Sequence, residues 1–326
     1  MVNPVDETHV KTNSVRAFLL AARPKTLSGA AVPVMIGVAL AIHDMGWSAF
    51  VSPEWGEWWR VPCIPALLCL LFAMVMQIDA NFVNDYFDCV NGKDDRETRL
   101  GPKRACTEGW ITLPAMRWCL VATTVLACVI GLPLVCYGGW EMVLVGAACV
   151  LFCYLYTTFF AQHGLGDLLV LVFFGVVPVC LTYYVTMPTG RQSITMQAFW
   201  LSLACGLAID TLLVVNNYRD YEQDKQVGKR TLVVRIGRQR AERMYVMLGR
   251  MAVFMAWIPI VESHSSFIYW LLLFACFVPY MVLHDLTSTA MRRIGRGKEL
   301  NQVLGMTARN MFVYGLSTAF TLLITL

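Results

Sequence analysis

The chain has 326 residues, 57% hydrophobic and 15% charged, with a formal net charge of +4 and a mean hydropathy of +0.57. A soluble domain carries about 25% charged residues, and the apolar residues here come in blocks of about twenty, the length a helix needs to cross the hydrocarbon core. That excludes a soluble fold and gives no reason to expect a nucleic-acid partner: the expected class is an all-α, polytopic membrane protein, in which the placement of charge matters more than its sum.

About nine spans are expected, over 26–43, 65–89, 114–136, 140–160, 167–186, 196–219, 243–261, 266–284 and 305–325. We read 1–326 as a single membrane domain. It has an N-terminal cytoplasmic segment 1–25, six spans over 26–219 that include a first acidic loop at 84–104, a second acidic loop at 220–242, and three last spans over 243–326. The opening MVNPVDETHVKTNSVR lacks the basic, apolar and small-residue order of a signal peptide, so the first apolar block is expected to remain as a span. Arg23 and Lys25 stand at its entrance, as positive-inside anchors or as contacts for an anionic group. The 44–61 segment, with Trp47, Trp55, Trp58 and Trp59, reads as an interfacial aromatic anchor. Most of the twelve cysteines lie inside apolar blocks and no CxxC pair occurs, so they read as packing residues.

The second span changes character towards its end. Gln77, Asn81, Asn84 and Asp88 step by four, three and four and form one polar stripe on a helix. Asp85 sits beside Asn84, Asp94 and Asp95 follow just past the helix end, and then come Arg96, Arg99, Lys103 and Arg104. A short loop after the fourth span carries His163 and Asp167, either solvated or in contact with a substrate. The sixth span repeats the earlier pattern. Asn216-Asn217-Tyr218-Arg219-Asp220 lines up with Asn84-Asp85-Tyr86-Phe87-Asp88, Asp224 follows one turn later, and Lys229 and Arg230 come next. Asp210, Asn217, Asp220 and Asp224 share a helix face.

All of the 26 Lys and Arg residues except Arg60, Arg191 and Arg250 fall in the N-terminal segment, the 90–114, 220–242 and 285–304 loops and their flanks, which makes that side cytoplasmic. Both acidic segments close helices that run from outside to inside. The repeat is therefore parallel, with both clusters on one face, whereas an inverted repeat would separate them.

Acid at a helix C-terminus opposes the helix dipole, and a carboxylate at the middle of a membrane helix costs about 2.5–3.5 kcal/mol. A divalent cation repairs both. Oxygen-only donors, Asp carboxylates with Asn amides, suit a hard ion, Mg²⁺ more than Zn²⁺, and Mg²⁺ is usually shared with substrate phosphates. Two acidic clusters facing one compartment suit a diphosphate, whose remaining charge Arg99, Lys103, Arg104, Lys229 and Arg230 would take, unless a given cation serves only as an orientation signal. A membrane-embedded site suggests that the diphosphate carries a lipid. An allylic isoprenoid diphosphate fits: loss of diphosphate leaves an allyl cation for an electron-rich acceptor.

These segments resemble the UbiA superfamily of intramembrane aromatic prenyltransferases. The first family motif, NDxxDxxxD, matches as Asn84, Asp85 and Asp88, but its last position is Gly92 and the next acid is Asp94. The second, DxxxD, matches Asp220 and Asp224 without a gap. One branch shares the offset acid, the 1,4-dihydroxy-2-naphthoate polyprenyltransferases of menaquinone biosynthesis, and further strings are similar to it: ARPKTL (22–27), RLGPKRA (99–105) and NNYRD with GKRTLVVRIG (216–237).

The resemblance implies nine helices around a central cavity, with Asp85, Asp88, Asp94, Asp220 and Asp224 binding Mg²⁺. Of these, Asp85, Asp88, Asp220 and Asp224 would be catalytic. Asn84, Asn216, Asn217, Arg23, Lys25, Arg99, Lys103, Arg104, Lys229 and Arg230 would contact polyprenyl diphosphate or the aromatic acid. It implies a cell-membrane enzyme with a cytoplasmic active site. It assigns no role to Asp79 or Asp210, and leaves chain length and oligomeric state open. The alternatives are a 4-hydroxybenzoate or homogentisate prenyltransferase of the same superfamily, or a divalent-cation or substrate transporter.

Overall fold

A computed structural model of the chain describes residues 10–52, 57–92, 99–262 and 266–325; Trp55 of the aromatic anchor and Asp94, Asp95 and Arg96 of the first acidic motif lie outside them. Among the described residues all regular structure is helical. The principal helices are α1 (Val15–Ala22), α2 (Leu27–Met45), α3 (Cys63–Val90), α4 (Leu113–Gly131), α5 (Glu141–Thr158), α6 (Gly166–Val170), α7 (Val177–Thr186), α8 (Met196–Arg219), α9 (Tyr221–Gln226), α10 (Leu232–Ile236), α11 (Arg238–Glu262), α12 (Phe267–Ala275), α13 (Val278–Ile294) and α14 (Leu300–Ile324).

Seven helical stretches among the described residues are long and apolar enough to cross a membrane: Val15–Met45, Cys63–Val90, Leu113–Gly138, Glu141–Gln162, Gly166–Thr186, Met196–Arg219 and Trp270–Ile294. They take the places of the first six expected spans and the eighth. α11 and α14, of 25 residues each, stand where the seventh and ninth spans are expected but are not among those seven.

The centre of the bundle is α8 and α2. α8 packs on α11, α14, α7 and the segment before α7, while α2 packs on α14, α7 and α3. Two-thirds of the apolar window of α8 is buried, against 6% for the one in Glu141–Gln162, so α8 is enclosed by protein and α5 presents its apolar face to lipid. The exposed Trp118, Val121, Val125 and Val129 of α4 are likewise suited to a bilayer, where exposed apolar surface is no liability.

Small residues set the closest approaches. A Cβ on Gly175 would lie 2.5 Å from the Ser202 carbonyl oxygen and 2.9 Å from the Gly206 Cα, so the segment before α7 and α8 meet backbone to backbone. That segment, Leu171–Val176, winds as a π-helix. Pro178 follows it and cannot donate to the carbonyl four residues back. The carbonyl in question, that of Phe174, accepts instead from the Cys205 thiol of α8 at 3.8 Å, one way a neighbouring helix re-satisfies backbone freed by proline. Asp79, left without a role by the sequence, is buried on α3 and accepts from the hydroxyls of Thr123 and Thr124 on α4. It joins two helices by hydrogen bonds.

Candidate active site

The two acidic segments meet in one cavity of about 190 Å³ at the ends of α3 and α8. Of the expected metal and catalytic acids, Asp88, Asp220 and Asp224 line it. Arg23, Arg99, Arg104 and Lys229 contribute cations to the same walls, and Asn84, Asn216 and Asn217 contribute amides.

Each wall has a local cause. Asn81, from the polar stripe, turns away from the cavity and donates to the Ala22 carbonyl at 2.9 Å and to the Thr26 hydroxyl at 3.0 Å. That ties α3 to the corner between α1 and α2, where Arg23 adopts a left-handed backbone with φ of 51°. The Arg23 carbonyl accepts from the Thr26 N–H and hydroxyl, both at 2.9 Å. A non-glycine residue held in this region is strained, and here the strain accompanies the one Arg of the α1–α2 corner that lines the cavity.

Asp85 sits deeper. It is buried, and its two carboxylate oxygens accept from the Ala105 and Cys106 N–H groups at 2.8 Å each. It does not line the cavity; it folds the 99–106 loop back over the end of α3. Arg104, carried by that loop, then reaches Asp88 at 2.7 Å. The second motif has matching partners: Arg219 clamps both oxygens of Asp220 at 2.7 and 2.6 Å, and Lys229 lies 3.3 Å from Asp224 Oδ1.

The remaining wall comes from the end of α5 and the loop after it. Thr157 donates to Asn84 Oδ1 at 2.6 Å. The Gln162 carbonyl accepts from the Arg230 N–H at 3.0 Å and the His163 carbonyl from Arg235 at 2.7 Å, pinning this loop to the segment after α9. Gly164, at φ of 71°, permits the approach, because a Cβ there would lie 2.5 Å from the Arg230 carbonyl oxygen.

Several expected residues lie elsewhere. Lys25 and Arg230 are exposed and do not line the cavity. Lys103 places its ammonium 5.8 Å over the Trp110 ring, also outside the lining. His163 stacks on Phe159 with ring centroids 4.3 Å apart, whereas Asp167 does line the cavity. The lining also includes Tyr156, Gln162 and Arg219, which sequence reasoning did not single out for the site. Arg219 stands inside the NNYRD string, and its position between two motif residues was the available signal.

Among the described residues no group of three or more His, Cys, Asp or Glu is already gathered to hold a metal ion. The donor set nevertheless suits a hard cation shared with a ligand: the carboxylates of Asp88, Asp167, Asp220 and Asp224 and three Asn amides line one space, and Asp224 Oδ2 is buried without a hydrogen-bond partner. Burial pushes the Asp224 carboxyl up to about 6; Lys229 opposes the shift and the Asp220 charge adds to it. A carboxyl held in that state by burial gains from a cation. Asp167 Oδ1 and Asp210 Oδ1 are two further buried oxygens without a partner.

Residues 30–293 match the family described as the UbiA prenyltransferase family. A 1,4-dihydroxy-2-naphthoate octaprenyltransferase of Escherichia coli (strain K12) is 35% identical over 252 residues, covering 74% of this chain and 75% of that protein. The protein of the same name from Mycobacterium tuberculosis is 30% identical over 316 residues, covering 94% and 96%. Among solved structures, the apo UbiA homologue of Aeropyrum pernix K1 superposes with a TM-score of 0.65 at 13% identity, covering 90% of this chain and 97% of that one. A UbiA homologue from Archaeoglobus fulgidus bound to GPP and Mg²⁺ superposes with a TM-score of 0.59 at 14% identity, covering 93% and 99%. At these identities the structures speak for the fold.

Proposed function

Because the chain belongs to the UbiA prenyltransferase family, we propose that its cavity binds a polyprenyl diphosphate through Mg²⁺ and transfers the polyprenyl group to 1,4-dihydroxy-2-naphthoate, with loss of diphosphate and CO₂, to give demethylmenaquinol. The observation that carries this reading is the convergence of Asp88, Asp220 and Asp224 with Arg23, Arg99, Arg104 and Lys229 on one cavity at the helix ends. The acceptor is supported by the names of the relatives at 30–35% identity. The positive-inside asymmetry supports a cytoplasmic active site, and the seven membrane-capable helices among the described residues support a multi-pass membrane protein, which we assign to the cell membrane.

Asp88, Asp220 and Asp224 would hold Mg²⁺, and the amides of Asn84, Asn216 and Asn217 would contact the diphosphate. When bound, the metal supplies positive charge that makes diphosphate a better leaving group. The protein's own cations do the rest of that work. Arg104 and Lys229 already sit beside Asp88 and Asp224, so diphosphate oxygens arriving there meet donors without long side-chain rearrangement. Arg99 and Arg23 close the charge from the other walls. The allylic C1–O bond breaks with its electron pair leaving on diphosphate. The acceptor ring carbon bearing the carboxylate forms the new bond to C1. CO₂ then departs and leaves its electron pair in the ring, restoring aromaticity. Asp85 contributes from behind, by folding the loop that carries Arg104.

The test is incubation of the purified protein with Mg²⁺, polyprenyl diphosphate and a panel of aromatic acids, reading products by mass. A decarboxylated naphthoate product released with diphosphate is the expected result. Prenylated 4-hydroxybenzoate retaining its carboxylate, or a homogentisate product, would move the acceptor within the family. Ion or substrate flux in liposomes with no covalent product would overturn the reading.

A further inference from the structure

We infer that Arg219 is a positioning residue that locks the two acidic motifs to each other, acting through Asn301 and the Leu100–Gly101 turn. The inference rests on the reading of the cavity as an Mg²⁺ and prenyl diphosphate site.

Arg219 lines the cavity yet is only 2% exposed. Its Nε and Nη2 donate to the two oxygens of Asp220 at 2.7 and 2.6 Å. Nη2 donates again to Asn216 Oδ1 at 2.8 Å, and Nη1 donates to Asn301 Oδ1 at 2.9 Å. A guanidinium has five N–H groups in a rigid plane, so these four bonds leave little for a ligand. The group that looks like one more diphosphate contact is committed to holding its neighbours. Asp220 keeps free capacity, since a carboxylate offers about four acceptor positions, and the clamp fixes which of them face the cavity.

The chain of bonds continues across the molecule. Asn301, on the last helix, uses the other end of its amide to donate to the Leu100 carbonyl at 2.8 Å. Leu100 and Gly101 lie between Arg99 and Arg104, the two cations that the first loop contributes to the cavity. Gly101 rests on the guanidinium itself: a Cβ there would lie 2.8 Å from Arg219 Nη2 and 3.1 Å from its Cζ. The links Asp220–Arg219–Asn301–Leu100 therefore set the distance between the acids of the second motif and the cations of the first. α14 supplies the strut, which gives that helix a part in the site although it carries neither motif.

The experiment measures binding of a non-transferable prenyl diphosphate analogue, with Mg²⁺, to the purified full chain by calorimetry, alongside thermal unfolding. Asn301→Ala is expected to weaken the analogue by about tenfold or more, the scale of a lost hydrogen bond to a charged group. Asn301→Asp keeps the acceptor for Arg219 but loses the donor to Leu100, and is expected to weaken it as well. Gly101→Ala, whose methyl would push the turn and the guanidinium apart while keeping every hydrogen-bonding side chain of the link, is expected to weaken the analogue while leaving the unfolding midpoint near that of wild type. In a cycle of Asn301→Ala with Arg99→Ala, the second substitution should add little to the first, because an unheld loop no longer presents Arg99. Wild-type affinity in both Asn301→Ala and Gly101→Ala, or additive losses in the cycle, would overturn the inference. Absence of binding by the wild-type protein would instead overturn the underlying site assignment, and the inference with it.

Discussion

Asp224→Asn should make the ligand-free protein more stable while it destroys the site. The Asp224 side chain is 8% exposed, and its ion pair with Lys229, at 3.3 Å, does not offset the cost of burying its charge. Its carboxyl is pushed from 3.8 up to about 6. A group whose folded pKa is raised favours the folded state fully below the unfolded pKa, and that contribution is lost as pH rises through the folded value. The window therefore runs from about 4 to about 6, and at pH 7.5 the charged carboxylate costs about 3 kcal/mol relative to a neutral side chain.

Asn is neutral at every pH, so the variant should gain most of this energy at pH 7.5 and little at pH 4. Thermal unfolding in detergent without divalent cations, run from pH 4 to pH 8, reads the effect. The wild-type midpoint should fall across the window, and that of Asp224→Asn should fall less. Added Mg²⁺ should raise the wild-type midpoint at pH 7.5, by an amount that shrinks at pH 5, where proton and metal compete and apparent affinity drops about tenfold. Parallel pH profiles for the two proteins would refute the reasoning. So would an Mg²⁺ response in the variant equal to that of wild type.

Asp88→Asn or Asp220→Asn should lower Mg²⁺-dependent prenyl transfer by about 100-fold or more, with the protein still folded in the membrane, as measured by product mass and size-exclusion profile. Asp85→Ala should act differently: it frees the Ala105 and Cys106 N–H groups and costs about 2–4 kcal/mol, so limited proteolysis should cut the 99–112 loop faster. Gly249→Ala should lower the unfolding midpoint sharply, by the equivalent of about 1–3 kcal/mol. Its Cβ would lie 2.3 Å from His284 Nε2, and the imidazole has little room to retreat between Tyr245 and Tyr280, which stack on it at 4.5 and 5.5 Å.

Much was legible in the sequence because membrane helices are specified locally. Hydropathy over about twenty residues is enough to specify a span, since no backbone polar group can be left open in hydrocarbon, and the expected spans agree with the helices to within a few residues at most of their ends. The parallel echo of the two acidic strings, read with the direction of their helices, is enough to put Asp88, Asp220 and Asp224 at the same side. Tertiary structure decided how each charge is used. Asp85 and Asp88 are three residues apart, yet one is spent on the backbone of a loop and the other faces the cavity. Lys103 and Arg104 are adjacent, yet Arg104 reaches Asp88 while the Lys103 ammonium lies over the Trp110 ring. Sequence spacing orders residues along a single helix, whereas these choices are made by loops that return from elsewhere in the chain. The same holds for the link from Arg219 to Asn301 and Leu100, which spans 82 and then 201 residues. No local pattern encodes such a contact, because it exists only once α3, α8 and α14 have packed.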